Sequence, residues 1–318
     1  MSERKLEATR DAYGRVLCEL GGVYPNLVVL DADLSVSTKT CVFAKKYPER
    51  FINAGVAEQD MIGVAAGLAT TGKIVFASTF AAFAAGRAWE QVRVSLAYPR
   101  LNVKVVATHG GITTGEDGAT HQATEDIAIM RAIPNMTVLV PSDAAETEKI
   151  IRAAAKMHGP AYIRLSRGKT PVINEREYEF KIGQGVTLAD GKDISIIATG
   201  IMVAMALDAS EALAAEGVSA RVINIHTIKP LDRELIIAAA TETGAVVTAE
   251  EHTINGGLGG AVAEVLGENC PVPMFRLGIK DMFGESGKPD DLLEKYGLTS
   301  SEIIKAAKLV LSRKSRGQ

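Results

Sequence analysis

Short apolar runs alternate with longer amphipathic stretches along most of the chain. The apolar runs are rich in β-branched residues and predict buried strands over 26–33, 73–79, 102–110, 136–142 and 161–167. The stretches between them have a helical period and predict helices over 58–72, 86–98 and 144–158. Such alternation is typical of an α/β fold in which helices cover both faces of a parallel sheet.

A second cycle of strands and helices begins near residue 193. It predicts strands over 193–200, 220–226 and 244–252, and helices over 202–217, 232–243, from about Leu258, and over 299–314. The interval 172–192 between the two cycles is charged and has no helical period. We therefore predict two open sheets: a first domain over 1–178, a linker over 179–192 and a second domain over 193–318.

Composition narrows the class of protein. A chain of 318 residues with a net charge of −3 does not favour binding to nucleic acid or to an anionic membrane. Its three cysteines are scattered, which suits a reducing compartment and excludes a CxxC zinc site. The amino terminus is polar and no apolar run is long enough to span a membrane. We expect a cytoplasmic protein.

Polar clusters stand where several predicted strands of the first domain end. The clusters are DADLSVS, NAGVAEQD, THGG and SRGK, and the segment GEDGATHQ (115–122) lies among them. In open α/β sheets the loops at the carboxyl ends of the strands carry the working residues. These clusters therefore predict one binding or active site assembled from several loops.

The motifs leave several kinds of site open. Asp117 and His121 could both reach a metal ion, but the five histidines form no HxH, HExxH or Cys/His pattern. The glycines of GGLGGAV (256–262) only faintly resemble a dinucleotide fingerprint, and tight helix–strand packing explains them better. His158 and His226 stand alone, as surface or core histidines do.

Single residues of the clusters also have ordinary structural explanations. Glu58 starts an apolar helix, where the helix dipole stabilises a carboxylate. Phe80 and Phe83 are three residues apart, which fits core packing. Arg10 lies in the first helix, where a solvated arginine is common.

Taken together and in order, the segments resemble transketolases. The matching segments are INAGVAEQDMIGVAAGLA, STFAAF, GEDGATHQ followed by RAIPNMTVLVPSD, LSRG and FGESG (283–287). The resemblance covers the whole chain but only the C-terminal half of the usual single-chain enzyme. The other half holds a metal and the cofactor diphosphate with a GDG motif and a following Asn, and no GDG occurs here. The chain thus resembles the C-terminal subunit of a split transketolase.

The resemblance implies thiamine diphosphate as the cofactor. Glu58 matches the acid that bonds the far nitrogen of the aminopyrimidine, so that the amino group can take the proton of the thiazolium carbon. Burial would raise the pKa of such a glutamate, as proton sharing requires. Phe80 matches the ring that stacks on the pyrimidine, and Phe83 matches a second aromatic wall. Gly86 stands where the family often has a third aromatic residue.

The resemblance also implies a sugar-binding role for GEDGATHQ instead of a metal site. Asp117 would accept a hydrogen bond from a sugar hydroxyl, and His121 would contact the two-carbon unit. The positions that bind the terminal phosphate map onto Arg10, Ser37, His109 and Arg167. Asp33 matches a residue beside the cofactor.

The implied reaction is the reversible transfer of a two-carbon ketol unit from a ketose phosphate to an aldose phosphate. An N-terminal partner subunit would hold Mg²⁺ or Ca²⁺ and the diphosphate, in a homodimeric or α2β2 assembly. Three alternatives are weaker. A deoxyxylulose-phosphate synthase usually has Asp where Thr108 and His109 stand, and lacks FGES. The β subunit of 2-oxoacid dehydrogenases lacks GEDGATH. A noncatalytic homologue would not need the Glu58, His121 and phosphate-binding set.

Overall fold

A computed structural model describes residues 4–173 and 178–315 of the chain. The strands of this part are β1 (Leu6–Ala8), β2 (Leu27–Asp31), β3 (Phe51–Asn53), β4 (Ile74–Phe80), β5 (Val103–Thr108), β6 (Thr137–Leu139), β7 (Ala161–Arg164), β8 (Lys169–Pro171), β9 (Val186–Ala189), β10 (Ile194–Ala198), β11 (Ala220–Asn224), β12 (Thr227–Lys229), β13 (Val246–Thr253) and β14 (Met274–Ile279).

The helices of the same part cover both sheets. They are α1 (Thr9–Val23), α2 (Ser35–Thr38), α3 (Cys41–Lys46), α4 (Glu58–Thr70), α5 (Ala81–Gly86), α6 (Trp89–Gln91), α7 (Asp126–Arg131), α8 (Ala144–Lys156), α9 (Met202–Ala215), α10 (Arg233–Thr243), α11 (Leu258–Asn269), α12 (Pro289–Lys295) and α13 (Ser300–Lys314). Shorter 3₁₀ turns span Pro48–Arg50 and Ile112–Asp117, and a π-helical turn spans Val92–Ala97.

The first sheet has seven strands in the order β12-β6-β7-β5-β4-β2-β3. All neighbours in it are parallel except β12, which pairs antiparallel with β6. Every residue of the central strands β2, β5 and β7 is buried, because helices cover both faces. The predicted α/β class is therefore confirmed, and the five apolar runs are strands.

The second sheet has the order β14-β13-β10-β11-β9, and only β9 runs antiparallel to its neighbour. Strand β9 lies inside the interval that the sequence pattern predicts as a linker. It is an edge strand whose residues stay partly exposed, so no continuous apolar run marks it. The chain therefore joins the second sheet before residue 193, while the division into domains stays a prediction.

Strand β12 lies in sequence between β11 and β13 of the second sheet but extends the first sheet beside β6. One apolar core cluster includes Val138 of β6 together with Ile197 and Ile223 of the second sheet. The two sheets are thus joined by a hydrogen-bonded strand and by a shared core.

The predicted helix over 86–98 is wrong as a continuous element. Ala88 has φ −101° and ψ 11°, outside the helical region, so the backbone is interrupted between α5 and α6. The residues after α6 form a wider π-helical turn, which the 3.6-residue apolar period does not distinguish from an α-helix. In the part of the chain that is described, no helix has the length and apolar character needed to cross a membrane.

His226 is a buried core histidine between β11 and β12. Its ring lies against Phe180, with centroids 4.5 Å apart, and Nδ1 is 2.9 Å from the Thr227 hydroxyl. Burial lowers the pKa of His226 to about 4, while Asp232 raises it slightly. The folded state therefore keeps this imidazole neutral over a pH range where an unfolded chain protonates it.

We predict that the free energy of unfolding falls as the pH falls through this range. Between pH 7 and pH 5 His226 takes up a proton in the unfolded state but stays neutral in the folded state. This difference lowers the free energy of unfolding by about 2 kcal/mol. Urea unfolding of the wild type and of His226→Gln across this range measures the effect. Equal pH slopes for the two proteins would contradict it.

Candidate active site

Four parallel strands place their carboxyl ends at one edge of the first sheet. The strands β2, β4, β5 and β7 are neighbours there; polar loops follow β2, β5 and β7, the cluster NAGVAEQD follows β3 beside β2, and β4 runs directly into α5. Asp33 after β2 and His109 after β5 have φ values of 64° and 62°, in the left-handed region that non-glycine residues seldom adopt. The loops therefore turn sharply as soon as the strands end, and their side chains converge.

Glu58 is the first residue of α4 and is only 4% exposed. Its carboxylate accepts a hydrogen bond from Nη1 of Arg87 at 3.0 Å. The guanidinium of Arg87 also lies over the ring of Phe83, 4.0 Å from its centre. Glu58 and Arg87 line an open cleft of about 750 Å³ together with residues 56, 57, 59 and 60. A buried carboxyl thus faces a space large enough for a planar ligand.

Four rings form a cluster beside this cleft. Phe80, at the end of β4, stacks on His109 with centroids 3.8 Å apart. The ring of Phe83 lies 5.7 Å from that of Phe80, and His121 meets Phe83 edge-on at 5.2 Å. The aromatic pair from STFAAF and the two histidines of separate loops therefore share one site.

His109 is held neutral inside the cluster. Burial, together with the positive charges of Arg10 and Arg167, lowers the pKa of His109 to about 3. Its Nδ1 lies 2.8 Å from the Thr108 hydroxyl, and its carbonyl accepts a hydrogen bond from Thr114 at 2.8 Å. The residue is thus fixed at both backbone and ring, and it can offer an uncharged imidazole to a ligand.

Two guanidinium groups flank His109. Nη1 of Arg10 donates to the carbonyl of Ser37 at 3.0 Å, and its Nε has no hydrogen-bond partner among the described residues. Burial lowers the pKa of Arg10, the nearby Asp11 raises it, and Arg167 lowers it. An anion placed between Arg10 and Arg167 would offset this repulsion and this loss of hydration.

Arg167 contacts the GEDGATHQ segment directly. Nη1 of Arg167 donates to the carbonyl of Thr114 and, at 3.1 Å, to the carboxylate of Glu116. The carboxylate of Asp117 lies 3.9 Å from the same nitrogen. Asp117 therefore faces a cation. Among residues 4–173 and 178–315 no group of three His, Cys, Asp or Glu is arranged for a metal ion.

Asp33 and Ser37 belong to the loop after β2 but stand apart from the rings. The carboxylate of Asp33 accepts a hydrogen bond from the amide of Asn53 at 2.8 Å, and Asn53 Oδ1 accepts from the Asp33 N–H at 3.0 Å. Only the carbonyl of Ser37 has a described contact with another predicted site residue. The structure thus connects Ser37 to the site through Arg10 and places Asp33 at its rim.

Sequence reasoning missed the residue that shapes this loop. Asp31 is fully buried, and its carboxylate accepts hydrogen bonds from the Leu34 N–H and from the hydroxyls of Thr38 and Thr40, at 2.6, 2.6 and 2.8 Å. An acidic residue ending an otherwise apolar strand is a signal that could have identified it.

It also missed the contribution of the second sheet. Glu251 of β13 is buried, and its Oε1 accepts a hydrogen bond from the Thr113 N–H at 2.7 Å. A side chain at Gly111 would collide with this carboxylate, which would be 2.2 Å from a Cβ there. The amide of Gln122 donates to the carbonyl of Glu285 at 2.8 Å. The second sheet and the FGESG segment therefore hold both ends of the GEDGATHQ loop.

Gly257 and Gly259 of GGLGGAV are tightly packed, as predicted, whereas Gly260 has open space where a Cβ would lie. Gly259 lies against Thr248 and Arg276, where any Cβ would be 2.9 Å from the threonine hydroxyl. The buried carboxylate of Glu250 accepts hydrogen bonds from the N–H groups of Leu258 and Gly259 at the start of α11. A carboxylate of the protein itself therefore accepts the hydrogen bonds of the N–H groups at the start of this helix.

Comparison with known protein families gives two matches. Residues 6–172 match the description "Transketolase, pyrimidine binding domain", and residues 183–303 match "Transketolase, C-terminal domain".

Individual proteins agree with the family matches. A putative transketolase C-terminal section of Methanocaldococcus jannaschii is 58% identical over 299 residues, which are 93% of this chain and 94% of that protein. The 6-deoxy-6-sulfo-D-fructose transketolase subunit SqwH of Clostridium sp. (strain MSTE9) is 49% identical over 98% of both chains. A solved structure described as "Split gene transketolase, inactive beta4 tetramer" is 56% identical, with a TM-score of 0.91 over 96% of this chain and 99% of that one.

The family resemblance inferred from the sequence motifs is therefore confirmed. The chain belongs to the transketolase family and carries its pyrimidine-binding and C-terminal domains.

Proposed function

We propose that this chain is the C-terminal subunit of a two-chain transketolase that moves a two-carbon ketol unit between sugar phosphates, with thiamine diphosphate as its cofactor. One observation carries the proposal: an unbroken series of contacts runs from Glu58 through Arg87 and Phe83 to Phe80 and His109. The charges of Arg10 and Arg167 lie near enough to His109 to lower its pKa, which supports a single site with a carboxyl for the cofactor and cations for a phosphate.

The residues present fit the pyrimidine end of the cofactor. A buried carboxyl at an open cleft can share a proton with a ring nitrogen, and Phe80 and Phe83 offer aromatic faces beside it. Bound thiamine diphosphate would supply the nucleophilic carbon that carries the two-carbon unit from one sugar to the other. Glu58 would hold the proton at the ring nitrogen, and the rings of Phe80 and Phe83 would limit the access of water to it.

The substrate end of the site suits a sugar with an anionic terminus. Arg10 and Arg167 would bind the phosphate, with a further contact from Ser37. Asp117 would accept a hydrogen bond from a sugar hydroxyl. The neutral ring of His109 and the ring of His121 would form hydrogen bonds with the sugar oxygens.

A second candidate substrate carries a sulfonate in place of the phosphate. The relative named as a 6-deoxy-6-sulfo-D-fructose transketolase subunit is 49% identical over nearly all of both chains. Two guanidinium groups bind either anion by charge-assisted hydrogen bonds. Comparing turnover of xylulose 5-phosphate and of 6-deoxy-6-sulfo-D-fructose, each with one acceptor aldose, would identify the preferred donor.

The diphosphate end of the cofactor would be held by a partner subunit. The chain contains no GDG motif, which in this family holds the divalent metal and the diphosphate. A partner that carries the N-terminal half would supply Mg²⁺ or Ca²⁺ and complete each site at a subunit contact, in an α2β2 assembly in the cytoplasm. The relative solved as an inactive β4 tetramer supports the view that such a chain can associate with itself without being active.

Replacing Glu58 by Gln should lower turnover about 10²- to 10⁴-fold, the usual contribution of one acid–base group. The fold should persist, because the residue starts a helix at a cleft. Initial rates at saturating cofactor measure the effect, and Glu90→Gln, an exposed glutamate nearby, is the matched control. Near-normal turnover of the Glu58 variant would rule out its assignment.

Replacing Arg167 by Ala should raise KM for phosphorylated donors about 10- to 100-fold, because one charge-assisted hydrogen bond contributes about 1.5–3 kcal/mol. A donor without phosphate should be affected far less. Arg167→Lys keeps the charge, so its KM for phosphorylated donors should rise less than that of Arg167→Ala. Equal effects on both donor types would mean that Arg167 only supports the loop at Thr114.

The purified chain alone should fold and show no ketol transfer, even with thiamine diphosphate and Mg²⁺. Adding an N-terminal transketolase subunit should restore activity, because it completes the diphosphate site. Turnover and cofactor affinity, measured for the chain alone and for the mixture, decide the point. Full activity of the chain alone would show that the diphosphate is held here.

A further inference from the structure

The side chain of Arg87 covers the carboxyl of Glu58. Its Nη1 is 3.0 Å from Oε1 of Glu58, and its guanidinium carbon is 4.0 Å from the centre of the Phe83 ring. The carboxyl of Glu58 is only 4% exposed, whereas the side chain of Arg87 is 53% exposed. A surface side chain therefore covers a buried carboxyl at the mouth of the cleft.

These two contacts are those that a pyrimidine ring would need. A guanidinium is planar, donates hydrogen bonds in its plane and stacks on aromatic faces. It donates here to the carboxyl assigned to the cofactor and covers one of the two aromatic walls. Arg87 therefore occupies the same partners as the proposed ligand.

The charge of Arg87 opposes the role proposed for Glu58. A guanidinium stays protonated in proteins, and a carboxyl bonded to it is stabilised as the anion. Sharing a proton with a ring nitrogen needs the same carboxyl to hold that proton part of the time. Arg87 and the ring nitrogen of the proposed ligand therefore compete for the same carboxyl.

Arg87 can leave without disturbing the core. It follows α5 directly, and its N–H is bonded to the carbonyl of Phe83 at 3.0 Å. The preceding Gly86 has open space where a Cβ would lie, with no heavy atom within 4 Å of that position. Because the side chain is half exposed, it can turn into solvent while the backbone stays in place.

We infer that Arg87 competes with the pyrimidine end of thiamine diphosphate for Glu58 and thereby sets the cofactor affinity of the enzyme. This inference rests on the proposed function. The apparent dissociation constant equals the intrinsic one divided by the fraction of sites that are open. An ion pair that leaves about one site in ten open weakens binding about tenfold.

The test is the affinity of the assembled two-chain enzyme for thiamine diphosphate, measured by calorimetry with Mg²⁺ present and without sugar. Arg87→Ala should lower the dissociation constant about tenfold. Arg93→Ala removes the same charge from an exposed position a few residues further along the chain, and it should leave the constant unchanged. The readout is binding, so it does not depend on turnover.

A cycle with Glu58 shows whether the competition is for that carboxyl. In the Glu58→Gln background the change Arg87→Ala should increase the affinity for thiamine diphosphate less than twofold, because residue 58, for which the two compete, has lost its charge. A tenfold gain in that background would overturn the inference, as would equal or weaker binding by the single variant. If the unmodified enzyme binds no thiamine diphosphate, the proposed function and the inference both fall. Binding without an Arg87 effect removes only the inference.

Discussion

The site depends on the ion pair and the hydrogen bonds that the buried guanidinium of Arg164 makes. Its Nε donates to Asp126 at 2.9 Å, and its Nη2 donates to the carbonyls of Ala123 and Glu251 at 3.1 and 2.9 Å. Asp126 also accepts a hydrogen bond from Tyr162 at 2.7 Å. Leaving a buried charge without these partners would cost several kcal/mol, on the order of 3–5. The end of the GEDGATHQ loop and strand β13 are therefore held at one place.

The consequence is that the second sheet helps to position residues of the first. Residue 123 ends the GEDGATHQ loop, and Glu251 binds the loop's beginning through Thr113. Between these two points Gly115 and Gly118 have positive φ, which lets the backbone turn between the two fixed ends. The C-terminal domain contributes no predicted catalytic residue, yet it sets where Asp117 and His121 stand.

Periodicity predicted elements well where both faces are buried and poorly at edges. The strand β5 is buried on both faces, and the helix that starts at Glu58 begins where the pattern placed it. The edge strand β9 was assigned to the linker because its residues are partly exposed. The interruption of the helix at Ala88 is not visible in the sequence pattern, because an α-helical turn and a π-helical turn have nearly the same apolar spacing.

The sequence by itself determined the parallel strands through their apolar runs, and the family through motifs that resemble those of transketolases. That resemblance also indicated Glu58, Phe80, His109 and Arg167 as site residues. Only the tertiary structure decided which groups touch. The pair of Arg87 with Glu58, the stacking of His109 on Phe80 and the bond from Thr113 to Glu251 join residues that are 29 to 138 positions apart. Such contacts depend on how sheets and loops meet in space, which no periodic pattern along one chain encodes.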